Sequence, residues 1–251
     1  MIKTYNGGVI LGDNNYTVNN NQVNENDVSQ QSIQDDSIHY GKHGKELNNT
    51  IKAQLAAEGK AEITGIRGQH LLACGLSAPN ELNLKGYVGD YCFSLNSGAS
   101  IYLKGDGGRF LADTMESGEV IVEGTVSHGL GFSLYGGTVV VRGNTGGRLG
   151  QLNKGGTIIV DGHSRDLIGL YSLNGDVIIT RNAGRKVGEW MISGNIYIGG
   201  DDFELGNNAQ IDELTQDDMD KLTGYFDKYE INADPQQFTK IVPVSARPFY
   251  K

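Results

Sequence analysis

Proline is scarce in this chain, 4 residues of 251, and cysteine scarcer still, with only Cys74 and Cys92. Two thiols cannot by themselves complete a four-cysteine zinc site or hold an iron–sulfur cluster. A chain this long does not depend on a disulfide framework, so a reducing cytosol is the expected compartment. There is no run of about 18 apolar residues, which excludes a membrane-spanning helix. The opening MIKTYNGGVILGDNNYTV has no basic segment followed by an apolar one, so no secretory leader is expected. Cations are also in deficit, 21 Lys and Arg against 30 Asp and Glu, for a net charge of −9 and a pI near 5.0. A surface built for nucleic acid needs clustered Lys and Arg, so no nucleic-acid partner is expected.

What the chain has in excess is glycine, 37 residues, about twice ordinary usage. The glycines follow no G-X-Y period, so they do not indicate collagen. They follow a period of 19. Taking Gly118 as position 0, units start at Gly118 (GEVIVEGTVSHGLGFSLYG), Gly137, Gly156 and Gly175, with a shorter unit at Gly194. Stepping back by 19 gives Ala99, Asn80 and Ala61, so eight starts share one phase with no insertion. Two residues past each start stand Ile63, Leu82, Ile101, Val120, Val139, Ile158, Val177 and Ile196. Four past stand Gly65, Leu84, Leu103, Val122, Val141, Val160, Ile179 and Ile198. Twelve past stand Ala73, Cys92, Leu111, Leu130, Leu149, Ile168 and Val187, and thirteen past stand mostly small residues, beginning with Cys74.

Side chains two apart share one face of a strand, so the second and fourth positions face inward together. One coil has no core; stacked coils bury a continuous one. The fold expected is all-β, a right-handed parallel β-helix of 19-residue coils, with short helical caps at both ends. A leucine-rich repeat fits less well, because the units are β-branched and carry no helical period.

Four regions follow: an irregular arm over 1–43, a capping helix over 44–60, the β-helix over 61–205 and an acidic, partly helical cap and tail over 206–251. GKELNNTIKAQLAAE (44–58) places Leu47, Ile51 and Leu55 on one helical face, with Gly59 as its stop. Residues 13–37 are rich in Asn, Gln, Asp and Ser, and read as an arm that orders on a partner or on the body. Thr215 to Asp218 reads as a capping box, with Met219, Leu222 and Phe226 as the apolar stripe behind it, and Asp234-Pro235 as a second helix start. The acidic residues after Gly200 are read as a solvated face and helix starts in preference to a metal site.

Catalytic constellations are not evident. The repeat histidines His70, His128 and His163 fall at positions 9, 10 and 7 and are not expected to stack, and no zinc spacing is present. His39 and His43 are the densest cluster and read as an ordinary loop. Gly143 to Gly147 lacks the Lys-Ser/Thr of a phosphate loop, so its glycines read as coil corners. Cys74 and Cys92 differ by one position and read as inert core residues. The outward positions Asn83, Tyr102, Ile121, Val140, Ile159, Ile178 and Tyr197 are largely apolar. That suits packing against a partner or another part of the chain better than it suits a sugar groove.

The Gly-punctuated units, with Arg67-Gly68-Gln69-His70-Leu71-Leu72-Ala73-Cys74-Gly75-Leu76, Gly89-Asp90-Tyr91-Cys92-Phe93-Ser94-Leu95-Asn96 and the tail Ser245-Ala246-Arg247-Pro248-Phe249-Tyr250, resemble the GXGXG domain. That β-helix forms the C-terminal part of the large glutamate synthase subunit, also occurs as a separate polypeptide, and is similar to the C subunit of formylmethanofuran dehydrogenase. The resemblance covers about residues 39–251, and its first-coil and tail segments are nearest the glutamate synthase side. It implies a non-catalytic, cytoplasmic structural subunit of a split glutamate synthase-like complex. The implied partners are a class II glutamine amidotransferase and an FMN-dependent glutamate synthase subunit that carries FMN and an iron–sulfur cluster, with no cofactor in this chain. Self-association is left open. The chain begins Met1-Ile2, without the Met-Cys start of such an amidotransferase, and the Asn-rich arm departs from the stand-alone pattern. Two alternatives stand beside this: the formylmethanofuran dehydrogenase C-type subunit, and a free-standing carbohydrate-binding or lyase β-helix. Arg67, His70, Asp90 and Arg247 are the interface or structural candidates, none of them catalytic.

Overall fold

The structure, a computed structural model, describes residues 44–249 together with three dipeptide strands, β1 (Thr4–Tyr5), β2 (Gly8–Val9) and β3 (Val18–Asn19), which form a small antiparallel sheet. The rest of the Asn-rich arm, the His39–His43 cluster and Tyr250 lie outside the described residues.

Helix α1 (Gly44–Glu58) turns Leu47, Ile51 and Leu55 into the main core. It stops where the Gly59 N–H donates to Leu55 O at 2.8 Å, with Gly59 at φ +70°, a backbone conformation that costs a residue without Cβ little. Eight parallel strands follow: β4 (Lys60–Arg67), β5 (Glu81–Tyr87), β6 (Ser97–Lys104), β7 (Ser117–Val122), β8 (Thr138–Val141), β9 (Lys154–Val160), β10 (Asn174–Ile179) and β11 (Asn195–Ile198). Among these eight, each pairs in parallel only with the strand before and the strand after it, which is the topology of a single-stranded parallel β-solenoid. α1 packs on β4 and closes that end of the core. The other end is closed by strands. β13 (Thr239–Pro243) runs antiparallel beside β11, and β12 (Ala209–Asp212) beside β13.

The inward layers stack as the repeat requires. Ala61, Leu82, Ile101, Val120, Val139, Ile158, Val177 and Ile196 face one another strand to strand. Ile63, Leu84, Leu103, Val122, Val141, Val160, Ile179 and Ile198 form the second layer. The first coil departs from the expected unbroken phase. Ala61, not Ile63, is the layer mate of Leu82, and Ile63, not Gly65, that of Leu84. Two single-residue steps account for this. A bulge falls between Ile63 and Ile66, where Gly65 sits at φ +71°, and a second extra residue lies between the pairs Ser77–Ser97 and Glu81–Ser100. The same slip makes Leu72, not Ala73, the buried neighbour of Cys92, and puts Ala73 rather than Cys74 beside Phe93 in the next column.

Two buried asparagines staple coil corners. Asn96 donates Nδ2–H to Ala99 O at 2.9 Å and accepts the Ala99 N–H at 3.0 Å. Asn153 does the same to Gly156, at 2.9 and 3.0 Å. Asn153→Ala would strand the Gly156 N–H and C=O away from water, so a loss of about 1–3 kcal/mol is expected in a urea titration.

The outward column is covered in its second half by the chain itself. Helix α2 (Gln216–Lys228) begins with the expected capping box, in which Thr215 and Asp218 satisfy each other's backbone N–H. It lays Leu222 and Phe226, with Tyr229, Ile231 and Phe238, over Val140, Ile159, Ile178 and Tyr197. Asp234 caps a short 3-10 turn at Pro235–Gln237, the expected second helix start. Polar ties fix α2 in place. Tyr197 Oη donates to Asp218 Oδ1 at 2.6 Å, and Lys240 Nζ to Asp218 Oδ2 at 2.8 Å. Lys221 Nζ pairs with Asp176 Oδ2 at 3.0 Å, and Tyr229 Oη donates to Glu119 Oε1 at 2.7 Å. A sugar groove along this part of the face is closed, because α2 occupies it.

Candidate interaction site

Opposite turns of the solenoid place the candidate residues. In each coil the segment after the strand carries alternating left-handed residues, such as Tyr91, Phe93 and Leu95 at φ +58°, +63° and +59°. Each coil is held to the next by a backbone ladder in which the N–H of one residue meets the carbonyl one coil on. It runs Leu71 to Asp90, Tyr91 to Arg109, Phe110 to His128, Gly129 to Gly147, Arg148 to Asp166 and Leu167 to Arg185. Two side-chain columns follow. One is His70, Asp90, Arg109, His128, Gly147, Asp166, Arg185; beside it runs Leu71, Tyr91, Phe110, Gly129, Arg148, Leu167, Lys186. The first-coil slip therefore brings His70 into the column of His128, against the expectation that the histidines do not share one, while His163 stays outside it.

Arg67, His70 and Asp90 come together at the first coils. Asp90 is the anchor. Its Oδ1 accepts the Arg109 N–H at 2.7 Å, and its Oδ2 accepts Arg109 Nε and Nη2 at 3.0 and 2.7 Å. This two-pronged guanidinium contact holds the Asp90 carboxyl below the usual carboxylate range. His70 Nδ1 accepts the Asp90 N–H at 2.7 Å, which turns the ring edge onto the Asp90 backbone. The same nitrogen lies 3.9 Å from Asp90 Oδ2. Glycine stands at 89 because an added Cβ would come within 2.4 Å of the Gly68 backbone O and 2.7 Å of His70 Nδ1. Arg67 and His70, with Tyr87, Gly89 and Asp106, line an open groove of about 330 Å³. Arg247 is not part of this cluster. It follows β13, with its N–H on Ser245 Oγ at 3.1 Å, and Ser245 is tied to Asn208 at the far end of the solenoid.

Over its first three members, Leu71, Tyr91 and Phe110, the neighbouring column is apolar. Leu71, Tyr91 and Leu95 are 58%, 41% and 54% exposed. The Tyr91 and Phe110 rings stack with centroids 4.9 Å apart, and Phe132 meets Phe110 edge-on at 6.0 Å. Sequence reasoning missed this stripe and missed Arg109 as the partner of Asp90. The sign of Arg109 was its position 19 residues on; the stripe becomes a column only once the first coil is shifted. At the far end the chain's own tail packs on aromatics of the last coils, Phe249 on Trp190 at 5.5 Å and on Tyr171 at 6.2 Å.

The thiols are poor nucleophiles. Cys92 is buried, accepting the Leu72 N–H on Sγ at 3.3 Å, and burial pushes its thiol up to about 12. Burial also raises Cys74, whose S–H points at Tyr91 O at 3.2 Å. Among the described residues no group of three His, Cys, Asp or Glu side chains is placed to hold a metal ion, and no helix is long and apolar enough to cross a membrane.

The fold defines the chain as a parallel β-solenoid, and the first coils present an apolar stripe beside a fixed His–Asp–Arg cluster. No family model matches the chain, and no curated protein matches it.

Proposed function

We propose that this chain is a non-catalytic structural subunit of a cytoplasmic, split glutamate synthase-like complex, holding a class II glutamine amidotransferase against an FMN and iron–sulfur synthase subunit. The observation that carries the reading is the coincidence of two features. The segments Arg67–Leu76 and Gly89–Asn96, which bear the resemblance, are the segments that present Leu71, Tyr91 and Leu95 to solvent. Aromatic and aliphatic anchors beside a fixed guanidinium are the composition of an interface centre. FMN and the cluster belong to the partner subunits in this reading, and this chain supplies contact area and rigidity.

Affinity isolation of the tagged chain from its source cells tests the proposal. The expected result is co-elution of an amidotransferase and a flavoprotein, with the complex lost for Leu71→Ser/Tyr91→Ser. Both side chains are exposed and the stacking of Tyr91 on Phe110 is lost with the ring, so the variant should stay folded with a stability loss of about 1–2 kcal/mol in urea. Recovery of the chain alone, or with a pterin-dependent dehydrogenase subunit instead, contradicts it.

A further inference from the structure

A second groove of about 510 Å³ lies further along the same corner of the solenoid, lined by His128, Gly147, Arg148, Ser164, Arg165, Asp166, Leu167 and Gly184. The column of His70, Asp90, Arg109, His128, Asp166 and Arg185 has a side chain at every coil except Gly147, and the groove opens at that gap. The His128 ring lies over Gly146, where a Cβ would come within 2.9 Å of Nδ1, and so forms one wall. Asp166 forms the other. Its Oδ1 accepts the Arg185 N–H at 2.9 Å and its Oδ2 lies 3.5 Å from Arg185 Nη2, so its charge is already engaged. The two guanidiniums that flank the gap, Arg148 and Arg165, have no carboxylate within ion-pair distance among the described residues. Arg148 reaches only Gln151 Oε1, at 3.5 Å.

The charge here runs against the rest of the chain. Across the corner segments 125–129, 144–148, 163–167 and 182–186 the formal cations are Arg148, Arg165, Arg185 and Lys186, and the one carboxylate is Asp166, in a chain of net charge −9. The next turn restores the acid, with Asp202 and Glu204, whose backbone carbonyls accept the Ala183 and Val187 N–H groups, at the border of the patch. Charges more than about 8–10 Å away are screened at physiological salt, so the groove's field is set by Arg148, Arg165 and Arg185 against the single carboxylate Asp166. A guanidinium presents its N–H groups in a planar fork matched to carboxylate and phosphate oxygens. We propose that this groove is an anion site, taking a ligand with two or more oxyanion groups, phosphate or carboxylate, across Arg148 and Arg165. This goes beyond the scaffold reading and does not depend on it.

Isothermal titration of the full chain with pyrophosphate, and separately with citrate, is the test, with Arg148→Gln/Arg165→Gln as the variant and Lys104→Gln, on another face, as the control. The expected result is saturable binding of at least one anion with a Kd of about 1 mM or tighter, weakened about tenfold or more in the double variant and unchanged in the control. Pyrophosphate alone points to a phosphorylated ligand, citrate alone to a polycarboxylate, and both to recognition by charge; each supports the site. No binding of either up to about 10 mM, or equal binding by the double variant with its circular dichroism intact, overturns it.

Discussion

Replacing Ile158 by alanine is expected to lower the unfolding free energy by about 3–5 kcal/mol, near the upper end for a large-to-small core change. Ile158 is fully buried between Val139 and Val177 in the inner layer. Its Cδ1 fills the space over two glycines, and would lie 2.5 Å from a Cβ at Gly131 and 3.3 Å from one at Gly150. The cost is high because the site cannot collapse. Hydrogen-bonded strands on both sides hold the coils about 4.8 Å apart, so the lost methyl groups leave a void. Urea unfolding should show a lower midpoint with an unchanged slope. The matching change at Ile121, half-buried at the margin of the α2 footprint, should cost about 1 kcal/mol.

The second large effect lies under α2. Asp218 is buried, and its carboxylate takes Tyr197 Oη on one oxygen and Lys240 Nζ with Thr215 on the other. Although burial alone would raise it, the bonds from Lys240, Tyr197 and Thr215 together hold this carboxyl well below the usual range. Asp218→Ala leaves the Lys240 ammonium without its carboxylate and removes half of the capping box, so a loss of about 3–5 kcal/mol is expected. The pH dependence has a definite sign. A carboxyl depressed in the folded state stabilises fully above its ordinary value near 3.8 and progressively less as pH falls toward the folded value. The wild-type chain should therefore lose stability below about pH 4, and Asp218→Asn should flatten that limb. Tyr197 acts at the alkaline side. Burial and the nearby Asp218 and Asp176 raise its phenol, so its contribution is complete below about pH 10 and fades above.

The repeat from Val120 to Ile198 was readable because each inward position keeps one residue type at one interval, which is what stacking in register demands. The first coil was not, because the Thr64–Gly65 bulge and the extra residue near Pro79 change the interval without changing the composition. Its one visible symptom was Gly65 standing in a column otherwise aliphatic. That slip also hid the shared column of His70 and His128, and with it the stripe in which exposed Leu71 and Tyr91 run on to half-buried Phe110. The apolar outward face and the apolar stripe of α2 were each legible alone. Their pairing was not, since periodicity describes one element at a time and a long-range contact such as Tyr197 with Asp218 leaves no local mark. Of the candidate residues, Arg67 and His70 share the first coil and Asp90 sits beside His70 on the second. Arg247 was grouped with them by similarity of segments, which carries no distance.

Lockstep stacking with an offset first coil is tested most directly by engineered disulfides on the outward column. Glu62 and Asn83 are register partners on adjacent strands, a separation that a disulfide spans without strain. Thr64 and Asn83, the pair that an unbroken 19-residue phase would place side by side, are not partners. Glu62→Cys/Asn83→Cys should close to a single intramolecular disulfide under mild oxidation, seen as the loss of two hydrogen atoms in the intact mass, while Thr64→Cys/Asn83→Cys should stay reduced. Closure of the second pair and not the first would contradict the stacking on which the core, the stripe and both grooves rest.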